Sequence, residues 1–295
     1  INFGSDSKDS RHTIHLDPRE TDPRTGNKLK CVPDGALGAV RLGNWNADGE
    51  AESMTYAFTV DSAQQGILLI KYAVVLEEPG TSCGDPGFKM VVLDSLGNEV
   101  DEICGKADFG YSDAAAAGWN MYEEEGAYAK VAWKDWTSVG LNLQRYNNQT
   151  LYVRLTTNDC GAGGHYGYAY FTIDCISAYI HTENCGTDAK VICDAPEGFQ
   201  YRWYDETGTT LGHDQTLEAD AGRHTYTCRV SYLEDTTCYF ELSTLSAPRF
   251  PVPEYTYKWN PENCANYIRF TNTSHVMNKF EGYEQHTGEA CTDFL

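Results

Sequence analysis

The sequence predicts an all-β protein made of several small domains, and three observations carry that expectation. Short runs rich in Val, Ile, Leu, Tyr, Phe and Thr recur along the chain, separated by Gly, Asn and Asp. This is the pattern of strands joined by turns. Tyrosine is abundant, with 20 in 295 residues, and its ring suits half-buried pleated surfaces. The one stretch of helix-forming residues, Ala114 to Ala117, is too short to carry a domain.

Residues 1–30 are polar and turn-rich, with Asp17-Pro18 and Asp22-Pro23, and read as an N-terminal arm or leading strand outside the core. In residues 31–180, Met54 to Val60 alternates and Gly66 to Leu76 is a long apolar run. Phe88 to Leu93 precedes a turn at Asp94-Ser-Leu-Gly97, and Thr150 to Thr156 and Tyr168 to Ile173 come later. Strands at this density predict a jelly-roll-like sandwich. Lys106 to Lys130 reads as a long loop of the kind that carries function.

Residues 181–246 contain Cys193, then Trp203, then Asp220-Ala-Gly222 and Tyr226-Thr-Cys228. A cysteine, a tryptophan about ten residues on and a later Tyr-x-Cys predict an immunoglobulin-like sandwich, in which the indole packs on an inter-sheet bridge and the tyrosine pins a corner. The Asp-Ala-Gly run lies two residues further from Tyr226 than is usual, so the subtype stays open. Residues 247–295 begin with Pro248, Pro251 and Pro253, a stiff linker, and hold one short strand, Tyr267 to Asn272. They read as a linker and a fragment of a further module, and the chain as a piece of a longer protein.

A net charge of −21 repels phosphate backbones and argues against nucleic-acid partners. No apolar run approaches transmembrane length. Eleven cysteines without a Cys-x-x-Cys pair point to an oxidising, extracellular or cell-surface setting, not to a zinc ribbon. Spacing does not fix their pairing. The preferred map joins Cys193 to Cys228, Cys185 to Cys238, Cys83 to Cys104, Cys31 to Cys175 and Cys264 to Cys291, with Cys160 free.

Several runs recur together in one order: Cys31-Val-Pro-Asp-Gly35, Val40-Arg-Leu-Gly-Asn44, Lys71-Tyr-Ala-Val-Val-Leu-Glu-Glu-Pro-Gly80, Trp133-Lys-Asp-Trp-Thr137, Leu141-Asn-Leu143 with Tyr146, and Asp159 to Tyr170. Across residues 31–180 this resembles a domain of large secreted surface proteins of Bacteroidetes. That resemblance implies neighbouring PKD-like or immunoglobulin-like repeats and adhesin-like roles. A histidine-containing Pro-Gly-His-Ser stretch of that family reads Pro79-Gly-Thr-Ser82 here, so any role of that histidine is absent. The order of elements is also similar to MAM and galactose-binding-like jelly rolls, with Trp133 or Trp136 and Ile173-Asp174 as counterparts.

Three candidate sites emerge. Asn158 to Tyr168 contains four glycines, which permit a tight turn presenting Asp159, His165, Tyr166 and Tyr168 to a ligand. The competing reading is a buried turn in which Asp159 caps amides and His165 donates to a carbonyl. Glu50, Glu52 and Asp174 occupy places where carbohydrate-binding jelly rolls hold structural Ca2+, with Asp159 as a further option, although calcium needs six to eight oxygens. Trp119, Tyr122, Trp133 and Trp136 lie on or near the long loop, where an exposed ring would stack on a sugar. Three residues apart on a strand, Trp133 and Trp136 should face opposite ways.

No Gly-x-Ser-x-Gly elbow, His-Glu-x-x-His or phosphate-binding glycine loop is present, so the chain is not expected to be an enzyme. The sequence favours a non-catalytic adhesive or scaffold segment of a bacterial cell-surface protein, meeting a host or matrix protein, or a glycan, beside neighbouring modules of its own chain. The alternative is a carbohydrate-binding accessory module of a secreted polysaccharide-degrading enzyme.

Overall fold

In the computed structural model the chain divides into two units, Ile1–Ala178 with Ser231–Cys238, and Tyr179–Val230 with Tyr239–Leu295. The structure describes residues 2–3, 10–61, 66–80, 84–100, 104–123, 129–183, 190–222, 224–233, 236–246, 249–252, 255–259, 268–273, 275–280 and 283–290.

The first unit is a sandwich of two sheets. Its strands are β1 (Asn2–Phe3), β2 (His12–His15), β3 (Ala39–Leu42), β4 (Ala51–Thr59), β5 (Ile67–Glu77), β6 (Gly87–Leu93), β7 (Lys106–Gly110), β8 (Asn120–Tyr122), β9 (Val131–Asn142), β10 (Thr150–Asn158) and β11 (Gly167–Ile176). The larger sheet runs β1-β2-β3-β11-β5-β9-β8 and the smaller β4-β10-β6-β7. One short helix, α1 (Tyr111–Ala116), lies in the segment read from sequence as a loop.

β5 explains the long apolar run. It is buried from Ile67 to Leu76 except at Lys71, because both of its faces are covered. Tyr72 meets Phe88 of β6 and Phe109 of β7, with ring centroids 5.2 and 6.4 Å away. On the opposite face Ala73 and Val75 join Val131, Trp133, Tyr166, Tyr168 and Tyr170 in an aromatic cluster that also contains Leu29 and Cys31. The later part of residues 1–30, read from sequence as an arm, therefore closes that face, with Asp22, Thr25 and Leu29 buried, while Thr13 and His15 are buried in β2 of the sheet itself. Local polarity concealed this, because buried polar groups are tolerated when hydrogen-bonded.

β9 departs from simple alternation. Tyr72 pairs with Thr137 and Val74 with Lys134, so one extra residue sits on β9 between them. A bulge of this kind reverses the facing of the residues beyond it. Trp133 is thus core, and Trp136 packs against the same aromatic cluster, correcting the expectation that the two rings face opposite ways.

In the second unit, β12 (His181–Glu183), β13 (Lys190–Asp194) and β16 (Thr216–Asp220) form one sheet, and β15 (Thr210–Gly212), β14 (Gln200–Tyr204), β17 (His224–Ser231) and β18 (Tyr239–Ser246) the other. Trp203 is fully buried and donates to the Asp214 carbonyl at 2.8 Å. Tyr226 donates to the Asp220 carbonyl at 3.0 Å, the tyrosine corner of immunoglobulin-like sandwiches. Beyond it, β19 (Arg249–Val252), β22 (His275–Phe280) and β23 (Tyr283–Ala290) pair in one sheet, and β20 (Tyr255–Trp259) with β21 (Ile268–Asn272) in another.

The cysteine map needs correction. Cys104 is bonded to Cys238, which removes Cys83–Cys104 and Cys185–Cys238. The reason is that Ser231–Cys238 belongs to the first unit, where the Tyr232 hydroxyl donates to the Gly140 carbonyl of β9. Cys31 and Cys175 are separate thiols. Cys31 sits 3.6 Å from the Tyr170 hydroxyl, and five residues along β11 carry Cys175 roughly 17 Å further and onto the other face. Cys193 and Cys228 are also separate, buried thiols on facing sheets, so Trp203 and the Tyr226 corner close that core without the expected bridge. Burial pushes the two thiols up to about 11 and about 12. Cys160 is a buried thiol, and Cys83, Cys185, Cys264 and Cys291 lie outside the described residues.

Peptide mapping of the unreduced chain is expected to return the Cys104–Cys238 linkage. The bond closes a long loop, its ends 134 positions apart in sequence. Cys104→Ser should therefore lower the unfolding free energy in urea titration by about 2–5 kcal/mol; an unchanged midpoint contradicts the placement.

Candidate functional site

The described residue that organises the first unit's polar core is Asp22. It precedes a short 3-10 turn, Pro23–Thr25, and its side chain accepts the Arg24 amide at 2.7 Å, an N-cap with proline next in line. Gly26 ends the turn at φ 67°, and a Cβ there would meet the Tyr122 ring at 2.6 Å, so glycine is required twice over. The other Asp22 oxygen accepts the hydroxyls of Tyr168 at 2.8 Å and Tyr170 at 2.7 Å. Burial raises the Asp22 carboxyl above its ordinary value, against the hydroxyls of Tyr170 and Tyr168, the Arg24 amide and the Arg41 charge, which pull it back.

Arg41 is 1% exposed. It donates to the Gly43 and Ser10 carbonyls and to Thr13 Oγ1, and its guanidinium lies 4.5 Å from the Trp45 ring centroid. Together with Tyr170, these residues form one wall of a cavity of about 250 Å3. His15, Glu20, Thr21, Pro23, Asn27 and Cys31 complete it. His15 Nδ1 lies 2.8 Å from Glu20 Oε2, while His15 Nε2 is buried without a hydrogen-bond partner. Desolvation lowers the His15 pKa, opposed by the Glu20 contact. Burial pushes the Cys31 thiol up to about 12.

The sequence-derived candidates fare differently. Asp159 accepts the amides of Glu50 at 3.0 Å and Gly167 at 3.1 Å, the capping alternative, and burial raises its carboxyl. His165 Nδ1 is 3.5 Å from Cys160 Sγ. Tyr166 is buried, with Arg24 Nε donating to its hydroxyl at 2.9 Å, and burial raises its pKa. Tyr168 is wholly buried on Asp22. Asp159, Tyr166 and Tyr168 are therefore built into the core. Trp119 packs edge-on to Phe109 at 5.2 Å, with Lys134 Nζ 5.0 Å from its ring. Trp136 Nε1 donates to the Lys30 carbonyl at 2.8 Å.

Glu50 and Glu52 do come together, but around a protein cation: Arg11 Nε lies 3.5 Å from Glu50 and 2.6 Å from Glu52. Glu52 also accepts Thr157 Oγ1. Asp174 pairs opposite Leu69, toward the far end of β11 from Gly167, and does not join them. In the second unit a cavity of about 380 Å3 is lined by paired polar groups, Lys190 with Asp220 at 2.7 Å and His224 Nδ1 with Glu206 at 3.1 Å.

Sequence reasoning missed His15, Glu20, Asn27, Cys31, Arg41 and Trp45. The available signal was Asp22-Pro23 with Gly26, a capped turn that binds back on itself. Among the described residues no helix is long and apolar enough to cross a membrane.

No family model and no curated protein matches the chain. Solved structures with partial likeness include the glycoside hydrolase domain of Endo-D from Streptococcus pneumoniae R6, at 13% identity over 71% of this chain and 33% of that one, TM-score 0.22. A glycosyl hydrolase family 2 member from Bacteroides cellulosilyticus DSM 14838 shows 12% identity over 76% and 30%, TM-score 0.20. Ruminococcus gnavus beta-glucuronidase shows 8% over 72% and 37%, TM-score 0.20. The chain spans about a third of the length of these structures.

The Asp22 carboxyl binds its proton more tightly in the folded chain than in the unfolded one. Its contribution to stability is present below about pH 4, the ordinary carboxylate value, and is lost as pH rises through the raised one. In parallel urea titrations, the stability of wild type relative to Asp22→Asn should therefore shrink as pH is raised from about 3 to about 7. A difference that grows over that window contradicts the assignment.

Proposed function

We propose that the chain is a non-catalytic binding segment of a larger extracellular carbohydrate-active protein, and that its first unit takes one sugar ring in the Arg41–Trp45–Tyr170 cavity. The observation that carries this reading is the pairing of an aromatic wall with placed polar groups. Trp45 is half-buried and held by Arg41, while Glu20, Thr21 and Asn27 line the same space. Apolar faces with a few convergent hydrogen-bonding groups are the general form of a small-molecule site, and an aromatic face beside them suits a pyranose. At about 250 Å3 the cavity is slightly below the usual range of about 300–1,000 Å3, which favours a single ring over a chain of them.

Two further points support it. Among the described residues lining the cavity, Glu20 is the one carboxylate, and it contacts His15. Glycoside hydrolysis ordinarily uses two carboxylates across the scissile bond. The Cys104–Cys238 bond fits an oxidising compartment. A formed cavity favours the accessory-module reading over an adhesive spacer, which needs none. Calcium at Glu50 and Glu52 would have to displace Arg11, so no calcium is included in this proposal.

Glycan-array and polysaccharide-retention binding test it. Binding is expected to fall at least about tenfold in Trp45→Ala and to persist in Trp119→Ala, with both variants compared where their circular dichroism matches wild type. No saccharide bound by the wild-type chain, or equal binding by Trp45→Ala, overturns the proposal.

A further inference from the structure

We infer that His15, Glu20 and Cys31 form a binding site for a divalent transition-metal ion of the zinc class, its remaining coordination position left to water or to a ligand atom in the cavity. The three donor atoms lie within 4.8 Å of one another. His15 is 1% and Cys31 2% exposed, and His15 Nε2 is a buried polar atom with no hydrogen-bond partner. His15 Nδ1 and Glu20 Oε2, 2.8 Å apart, can face one ion together with the Cys31 sulfur, and the ring proton then sits on Nε2.

The donor set selects the ion. A thiolate, an imidazole and a carboxylate suit zinc, whereas calcium and magnesium take oxygen ligands. On binding, the Cys31 S–H bond breaks, its proton passes to solvent and the sulfur pair forms the bond to the metal. Thiolate and Glu20 carboxylate then bring two negative charges, which cancel the dication.

The backbone holds the donors in place before any ion arrives. The Cys31 amide donates to the Glu20 carbonyl at 2.9 Å, Thr21 and Lys30 form a bridge between them, and His15 pairs with Ala39 in the sheet. The site stands whether or not a sugar enters the cavity, since neither Trp45 nor Asn27 is a donor to the ion.

The chelator-treated 295-residue chain is titrated with Co2+ and then with Zn2+. One equivalent of Co2+ is expected to give a thiolate-to-cobalt charge-transfer absorption that Zn2+ removes. Cys31→Ser should abolish it, and Cys160→Ser should retain it. If Cys31→Ser does not fold, Glu20→Gln with a wild-type circular dichroism spectrum should weaken Co2+ binding at least about tenfold. No absorption in wild type, absorption that survives Cys31→Ser, loss of it in Cys160→Ser, or unchanged affinity in Glu20→Gln overturns the inference.

Discussion

The carboxylate of Asp22 receives two tyrosine hydroxyls from β11 and the first free amide of the turn it caps. Those three bonds fasten residues 20–31 to the face of the large sheet that the smaller sheet does not cover. Without them Ala73, Val75, Trp133, Tyr166, Tyr168 and Tyr170 would lose part of their cover, and the aromatic cluster would meet water. A buried carboxylate is costly unless its oxygens are satisfied. Here each oxygen has a donor, and the Arg41 guanidinium is close enough to act on it.

The same network builds the cavity. Asp22 holds Tyr170 from one side while the Tyr170 ring meets His15 edge-on at 5.3 Å. The capped turn carries Pro23 and leads to Asn27, whose amide returns to the Asp22 carbonyl at 3.0 Å. Arg41 is fixed by three acceptors, so its planar face is available to orient Trp45, an arrangement worth about 0.5–2 kcal/mol by itself. The side chains around the cavity are therefore set by folding, not by a ligand, and binding would require little further ordering. Asp159, Glu50, Glu52 and Arg11 form a separate lock at the end of β10, where aspartate caps amides and arginine bridges the two glutamates.

Much of the architecture was legible in the sequence, for local reasons. The run from Gly66 to Leu76 lacks alternation because β5 is buried on both faces. The order Cys193, Trp203, Tyr226 and Cys228 identified a sandwich whose corner forms as expected despite the shifted Asp-Ala-Gly. The features that stayed hidden depend on partners distant in sequence. Nothing local to Asp22 announces two tyrosines roughly 150 residues away. The β9 bulge that turns Trp136 toward Trp133 is a matter of register with β5, and Cys238 finds Cys104 only because Ser231–Cys238 packs with the first unit. Glycines and an Asp–His pair drew the site assignment toward residues 159–168, where the structure places a capped turn instead.

Asp22 makes residues 20–31 an integral part of the first unit's core. Native-state hydrogen exchange tests it most directly, at the amides of Asp22, Asn27, Leu29 and Cys31, which donate to the Leu29 carbonyl, the Asp22 carbonyl, Thr25 Oγ1 and the Glu20 carbonyl. These amides are predicted to exchange as slowly as those of β5 and β11, through global unfolding. Exchange at the rate of an open chain, while β5 and β11 remain protected, would contradict it.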